Sequence, residues 1–281
     1  MSGGYTIHRA RFSEGLGWLP ASAEWMRRGF RPMFGVAALW LAVSLIAVIP
    51  VVGQAVLAVI TPLLTAGVML AFDRLGEGRT PLPSTLFAGW QDPLRRGRLL
   101  MLGVFAMAGG LAAALVLVSW LTNQIGADQL EAAMRSPETM AEALAGASLG
   151  GGLLLSGGIM ALVLAALYFA IPLILFGRAP VLAALTTSLR AVLGNWIAFL
   201  GFLLAAVAVV AGVFIVLLVI TSVLTLALGP VGGFVSQIIL LIGIMLFQVL
   251  MTGAQYLAFC RIFGWSPGLE DEQESSGDLE P

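Results

Sequence analysis

The sequence predicts an all-α polytopic membrane protein: six transmembrane helices in three pairs, with an interfacial amphipathic helix ahead of each pair. Three observations carry this reading. Hydrophobic types make up 59% of the 281 residues and charged types only 10%, against about half and about a quarter in a soluble domain. Mean hydropathy is +1.00, so the apolar surface exceeds what a water-facing exterior can hide and needs lipid as its solvent. The apolar residues also fall in continuous runs rather than alternating with period two, which favours helices over barrel strands, and the arginines crowd between alternate runs.

The elements follow in order. Residues 1–33 form a polar N-terminal segment with no early apolar core behind a short basic start, so no cleavable signal peptide is expected. The first pair of runs covers 34–49 and 54–72, joined by Pro50-Val51-Val52-Gly53. The second covers 99–121 and 153–176, with a polar loop between, and the third covers 197–220 and 236–259, joined through Gly229-Pro230-Val231-Gly232-Gly233. About 20 residues of helix cross a bilayer core. The first run is short and needs Met33 or Pro50; the fifth has room to reach Leu228. Pro62 and Pro172 fall inside runs and predict kinks. The six-helix domain spans 34–263, and residues 264–281, with six acids and no base, read as a disordered cytoplasmic tail.

Orientation follows from arginine. The chain has 14 basic residues, all arginine. Arg135 alone falls in the loop of Asp128, Glu131, Glu138 and Glu142; the others lie before run one, between runs two and three, between four and five, or at the close of run six. Positive charge is retained inside, so both termini are expected in the cytoplasm. Within the loop 123–148, Leu130, Met134, Met140 and Leu144 are placed to rest on the membrane in short helices.

The three pairs resemble one another. Amphipathic segments at 22–31, 83–95 and 180–195 precede them. In the third, Leu182, Leu185, Leu189, Val192, Leu193 and Trp196 share a face, predicted to lie along the membrane surface. Run two closes with Thr65-Ala66-Gly67-Val68-Met69-Leu70-Ala71-Phe72-Asp73-Arg74 and run six with Thr252-Gly253-Ala254-Gln255-Tyr256-Leu257-Ala258-Phe259-Cys260-Arg261. Thr, Leu, Ala, Phe and Arg recur in register. The Pro-Val-x-Gly turns at Pro50 and Pro230 add a second match. Chance similarity among Leu/Ala-rich helices is the competing explanation.

Candidate chemistry is sparse. The single cysteine, Cys260, and single histidine, His8, exclude an intrachain disulfide and any site needing several such ligands, so no metal or other cofactor is expected. No run has an ionisable residue in its interior; Asp73 and Arg74 mark a membrane edge. This leaves no acid–base set for an enzyme and weakens proton-coupled transport. The best polar feature is a stripe on run six: Gln237, Gln248, Thr252 and Gln255 lie within about 60° of one another at about 100° per residue. It suits either a solute path or, as the favoured reading, interhelical hydrogen bonds. Arg95, Arg96 and Arg98 are candidate contacts for anionic headgroups, against ordinary topology signals. Small residues at Gly157, Ala161 and Ala165, and at Gly201 and Ala205, read as helix-packing positions. Gly150-Gly151-Gly152 lacks the Lys and Ser/Thr of a phosphate loop.

Gly17-Trp18, Trp25-Met26-Arg27-Arg28-Gly29-Phe30, Ile49-Pro50-Val51-Val52-Gly53, Thr61-Pro62-Leu63 with Gly67, Leu86-Phe87-Ala88-Gly89-Trp90, Ser188-Leu189-Arg190 and Gly194-Asn195-Trp196 together carry a resemblance up to about Arg261. The pattern resembles a family of uncharacterised proteobacterial six-helix inner-membrane proteins, and is similar to the membrane domain attached to some glycerophosphodiester phosphodiesterases. The resemblance implies a six-helix membrane protein and no site residues, and phosphodiesterase activity is not expected to transfer to this sequence.

The expected function is therefore a non-enzymatic envelope, scaffold or assembly protein. Its expected partners are membrane lipids, a membrane-protein partner or further copies of itself, and not nucleic acid. A transporter or channel for a neutral or amphiphilic solute is the alternative. A continuous water-filled cavity lined by Gln248 and Gln255 would favour transport, and tight packing around them the scaffold.

Overall fold

The computed structural model describes residues 6–133, 135–136, 138–139 and 148–267. Among them lie ten α-helices and two 3-10 turns, with no strand. We number the helices α1 (Phe12–Arg28), α2 (Phe30–Ser44), α3 (Val52–Gly76), α4 (Pro93–Ile125), α5 (Ala127–Ala133), α6 (Leu149–Tyr168), α7 (Ala170–Leu175), α8 (Val181–Gly194), α9 (Trp196–Leu228) and α10 (Pro230–Phe263). The 3-10 turns cover Leu45–Val48 and Pro83–Trp90. Six stretches are long and apolar enough to cross a membrane: Phe30–Val48, Val52–Gly76, Pro93–Ile125, Gly150–Leu175, Trp196–Leu228 and Pro230–Phe263. The chain is a multi-pass helical membrane protein.

The pairs are α2 with α3, α4 with α6 and α7, and α9 with α10. Each interfacial segment seats on the pair before it. The turn 83–90 lies on α2 and α3, α8 lies on α6 and α7, and α1 lies on α9 and α10, which closes the ring from the last pair back to the first segment. In lipid there is no hydrophobic force between helices, so close backbone approach and hydrogen bonds must supply the association. Small residues provide it. A Cβ on Gly201 would overlap the Phe12 carbonyl oxygen of α1, and one on Gly253 would overlap both Phe72 of α3 and the Ser22 hydroxyl of α1. Ser22 Oγ donates to the Leu250 carbonyl at 2.8 Å, and Asn195 Oδ1 accepts from the Ala10 amide at 2.7 Å. The His8 amide donates to the Ile262 carbonyl at 2.8 Å, which brings the N-terminal segment and the end of α10 to the same end of the bundle.

Several boundaries differ from the sequence reading. The first interfacial helix starts at Phe12, not residue 22, and stops at Gly29, so Arg31 belongs to α2. The second segment is a 3-10 turn rather than an amphipathic helix. Its Leu86 is fully buried, and Asp92 accepts the Leu94 and Arg95 amides at 2.8 and 3.3 Å to start α4 at Pro93. An Asp at the cap with Pro in the first helical position is a strong start signal, and it assigns Arg95 to the membrane helix. Leu182, Leu193 and Trp196 on α8 and its C-terminal boundary are exposed, consistent with a lipid-facing surface, while Ala184, Ser188 and Ala191 face the bundle. Pro62 leaves α3 unbroken over 25 residues.

The two Pro-Val-x-Gly turns are built differently. In the first, Val51 takes a positive φ of 61° and Gly53 sits against the Ile46 carbonyl. In the second, Gly229 turns the chain with φ 56°, Pro230 already begins α10, and Gly232 rather than Gly233 meets a carbonyl, that of Leu224. Gly35 of α2 and Gly201 of α9 each follow the helix start closely and stand against an interfacial segment, at Pro83 and Phe12; Gly103 of α4 meets Val59 of α3 instead.

The three pairs are packed at the arginine-rich end and spread at the other. In α9 the buried residues stop at Ala206, 22 residues before Leu228. The helix is 33 residues long, about 50 Å at 1.5 Å per residue, against a hydrocarbon core of about 30 Å. Leu130 of α5 is buried; Met134, Met140, Leu144 and residues 268–281 of the acidic tail lie outside the described residues.

Candidate functional site

The site is built around Pro172. A proline has no amide hydrogen, so the carbonyl four residues earlier, Tyr168, loses its partner inside the membrane. The helix breaks there: α6 ends at Tyr168, Phe169 has φ −100° and ψ −4°, and α7 restarts at Ala170. Two side chains from distant segments satisfy the opened backbone. Gln255 of α10 donates from Nε2 to the Tyr168 carbonyl. Ser188 of α8 inserts into the broken ladder: its Oγ accepts from the Phe169 amide at 2.8 Å and donates to the Ala165 carbonyl at 2.7 Å. In an unbroken helix those two groups would bond each other; here a hydroxyl bridges them.

Beside the break opens a cavity of about 340 Å³, lined by Thr65 of α3, Tyr168 and Ile171, and by α10 from Ile244 to Gln255. Three of the four stripe residues line it: Gln248, Thr252 and Gln255. Thr252 is buried and spends its hydroxyl on the Gln248 carbonyl of its own helix at 3.0 Å. Gln248 is exposed at the mouth, and the Tyr168 hydroxyl is buried with no hydrogen-bond partner among the described residues. Gln237 is not part of the site. It is exposed seven residues into α10, in the half where the pairs have spread apart. The angular arithmetic that grouped it with the others describes direction and not depth.

Thr65 and Thr252 hold the same place in the matched closing sequences of α3 and α10, and they face each other across this cavity. Eight residues on, the same register brings Asp73 and Cys260 to the arginine-rich end. Asp73 is buried, accepts the Tyr256 hydroxyl at 2.6 Å and lies 3.4 Å from Trp265 Nε1. The sequence placed Asp73 at a membrane edge; the structure makes it a buried acceptor joining α3, α10 and the segment after it. Cys260 is partly buried beside it.

The arginines of the second cytoplasmic segment divide. Arg95 pairs with the capping Asp92 at 3.3 Å. Arg98 donates to the carbonyls of Arg178 and Ala179, which ties α4 to the approach of α8. Arg96 alone points outward without a described partner. Gly151 and Gly152 provide the seat for Trp120, whose Nε1 donates to the Ser148 carbonyl at 2.9 Å. Among the helix-packing positions, Gly201 is used by α1. Gly157 and Ala161 on α6 are exposed, and a Cβ on Gly157 would meet nothing.

Chemically the cleft is neutral. It offers amide and hydroxyl groups for hydrogen bonding and no acid–base pair. No three His, Cys, Asp or Glu residues among the described ones come together as a metal site. Sequence reasoning missed Ser188, Tyr168 and Thr65. A serine on the small-residue face of α8 was the available signal for the first; the others needed the packing. The chain matches no known family model, no curated protein and no solved structure.

Proposed function

We propose that this chain is a non-enzymatic scaffold or assembly protein of a bacterial inner membrane, with both termini in the cytoplasm. The observation that carries the reading is the outward small-residue stripe of α6. Gly157 and Ala161 are the residue types that admit a second helix at close range, yet among the described residues both are exposed. Three polar side chains at the cleft are at the same time spent on the bundle itself, Gln255 and Ser188 on the broken helix and Thr252 on its own helix. The arginine bias supports the orientation.

The test replaces Gly157 and Ala161 together by Leu and reads assembly size and co-purifying membrane proteins in mild detergent. The reading expects the wild type to run larger than one chain and the variant to lose that association at unchanged melting temperature. A wild type that is a lone monomer without protein partners contradicts it. Single cysteines at Arg96 and Arg135 in a Cys260→Ala background, labelled by a membrane-impermeant maleimide, check the orientation: position 96 should react only from the cytoplasmic side and 135 only from the other.

Transport of a neutral or amphiphilic solute is the second reading, favoured by the cavity lined with Gln248, Thr252 and Thr65. In proteoliposomes it requires a flux of uncharged solute that Gln248→Leu reduces.

A further inference from the structure

We propose that the groove between the α1–α2 junction and the end of α3 binds the phosphate of an anionic glycerophospholipid. The groove has a volume of about 810 Å³. Four guanidinium groups line it, Arg27, Arg28 and Arg31 from one side and Arg79 from the other. None belongs to the Arg95–Arg98 cluster, and sequence spacing does not group them, because Arg79 is 48 residues from Arg31.

The charge in this groove is only partly answered. Glu24 takes both Arg27 and Arg28, at 3.0 and 3.2 Å, and Glu77 faces Arg79 at 3.2 Å. The four arginines of the groove thus share two acids in the ion pairs described, Glu24 and Glu77. Arg31 makes no ion pair or hydrogen bond among the described residues. The pairs at Glu24 are largely solvent-exposed and so hold their arginines weakly, within reach of a stronger acceptor. The N-terminus of α2 opens into the same groove, and its cap, Gly29, supplies no side-chain acceptor.

The neighbouring surface identifies the source of the phosphate. Phe30 lines the groove, and it and Phe34, one turn along α2, are both exposed with ring centroids 5.9 Å apart. Residues 30–48 are the first membrane span, so this aromatic pair lies where hydrocarbon begins and the arginines lie at headgroup level. A phosphodiester held by guanidinium groups with acyl chains along Phe30 and Phe34 satisfies both halves of the surface. A soluble phosphate would leave the aromatic half unused.

The experiment uses the full chain in neutral detergent, titrated with dioleoylphosphatidylglycerol or dioleoylphosphatidylcholine and read by native mass spectrometry. The expected result is a preference for the anionic lipid of about tenfold or more. Arg31→Gln with Arg79→Gln abolishes that preference, Arg31→Lys with Arg79→Lys keeps most of it, and Arg96→Gln leaves it intact. Should the double Gln variant melt early, Arg27→Gln with Arg31→Gln, which leaves the α3 side untouched, takes its place. Equal binding of the two lipids, or a preference that survives the Gln substitutions in a folded chain, overturns the proposal. Displacement of the lipid by millimolar inorganic phosphate that itself binds the wild type would assign the groove to a free anion and overturn the lipid assignment.

Discussion

Replacing Gln255 by Leu removes the one described donor to the Tyr168 carbonyl. That carbonyl is orphaned because Pro172 stands four residues on, within an apolar stretch long enough to span a membrane. An interhelical hydrogen bond in a membrane protein averages about 0.6 kcal/mol and reaches about 1.7; an acceptor left buried without a partner costs about 1–3 kcal/mol. The expected loss is therefore about 1–2 kcal/mol, most of it from the stranded carbonyl. The cause can be separated from the loss of a side chain by restoring the missing donor. Pro172→Ala returns an amide to the position from which a regular helix would bond Tyr168, so in that background Gln255→Leu should cost about 1 kcal/mol less. Equilibrium unfolding of the four proteins in mixed micelles gives the coupling directly. Equal cost of Gln255→Leu in both backgrounds would refute the claim that the glutamine answers the proline.

Three further outcomes follow from the same geometry. Ser188→Ala leaves the Phe169 amide and the Ala165 carbonyl without their bridge, and should destabilise by about 1–3 kcal/mol while faster amide exchange appears at Phe169. Gly201→Leu drives a side chain into the α1 backbone and should cost about 1–3 kcal/mol; Gly194→Leu, which meets open space, should be near neutral in the same unfolding assay. The bond from Arg261, with a further one from the Arg11 amide, holds the Glu14 carboxyl below its ordinary value of 4.5. A lowered carboxyl stabilises the fold above that value and loses its contribution as pH falls through the folded-state value. Stability should therefore drop as pH is taken below about 5, by less than about 1 kcal/mol because the pair is partly exposed, and Arg261→Ala should flatten that part of the profile.

Composition and continuous apolar runs were enough to read six spans and their pairing, because lipid imposes helix on any long apolar segment. Kinks were read at Pro62 and Pro172 alike from the missing amide; α3 runs on through Pro62, and only at Pro172 does the helix break. What answers the break was not legible, since Gln255 and Ser188 come from 87 and 19 residues away in the chain. The glutamine stripe was visible by angle, but Gln237 shares its direction without its depth. Among the small residues, sequence spacing found Gly157 and Gly201 alike, and only the placement of α1 distinguishes a glycine already covered from one left open. In the repeat, the Pro50 and Pro230 turns match in letters and differ in backbone, while Gly35 and Gly201 hold the same place in α2 and α9.

The ring closed by α1 is tested most directly by joining its two ends. Glu14 and Arg261 stand 2.6 Å apart at their charged atoms and 247 residues apart in sequence. Cysteines at both positions, in a Cys260→Ala background, are treated in native membranes with a short bifunctional thiol reagent. The account predicts an efficient link within one chain, seen as a shifted monomer band that either single cysteine fails to give. Absence of the link, or links formed only between chains, would show that α1 does not seat on α9 and α10 of its own chain.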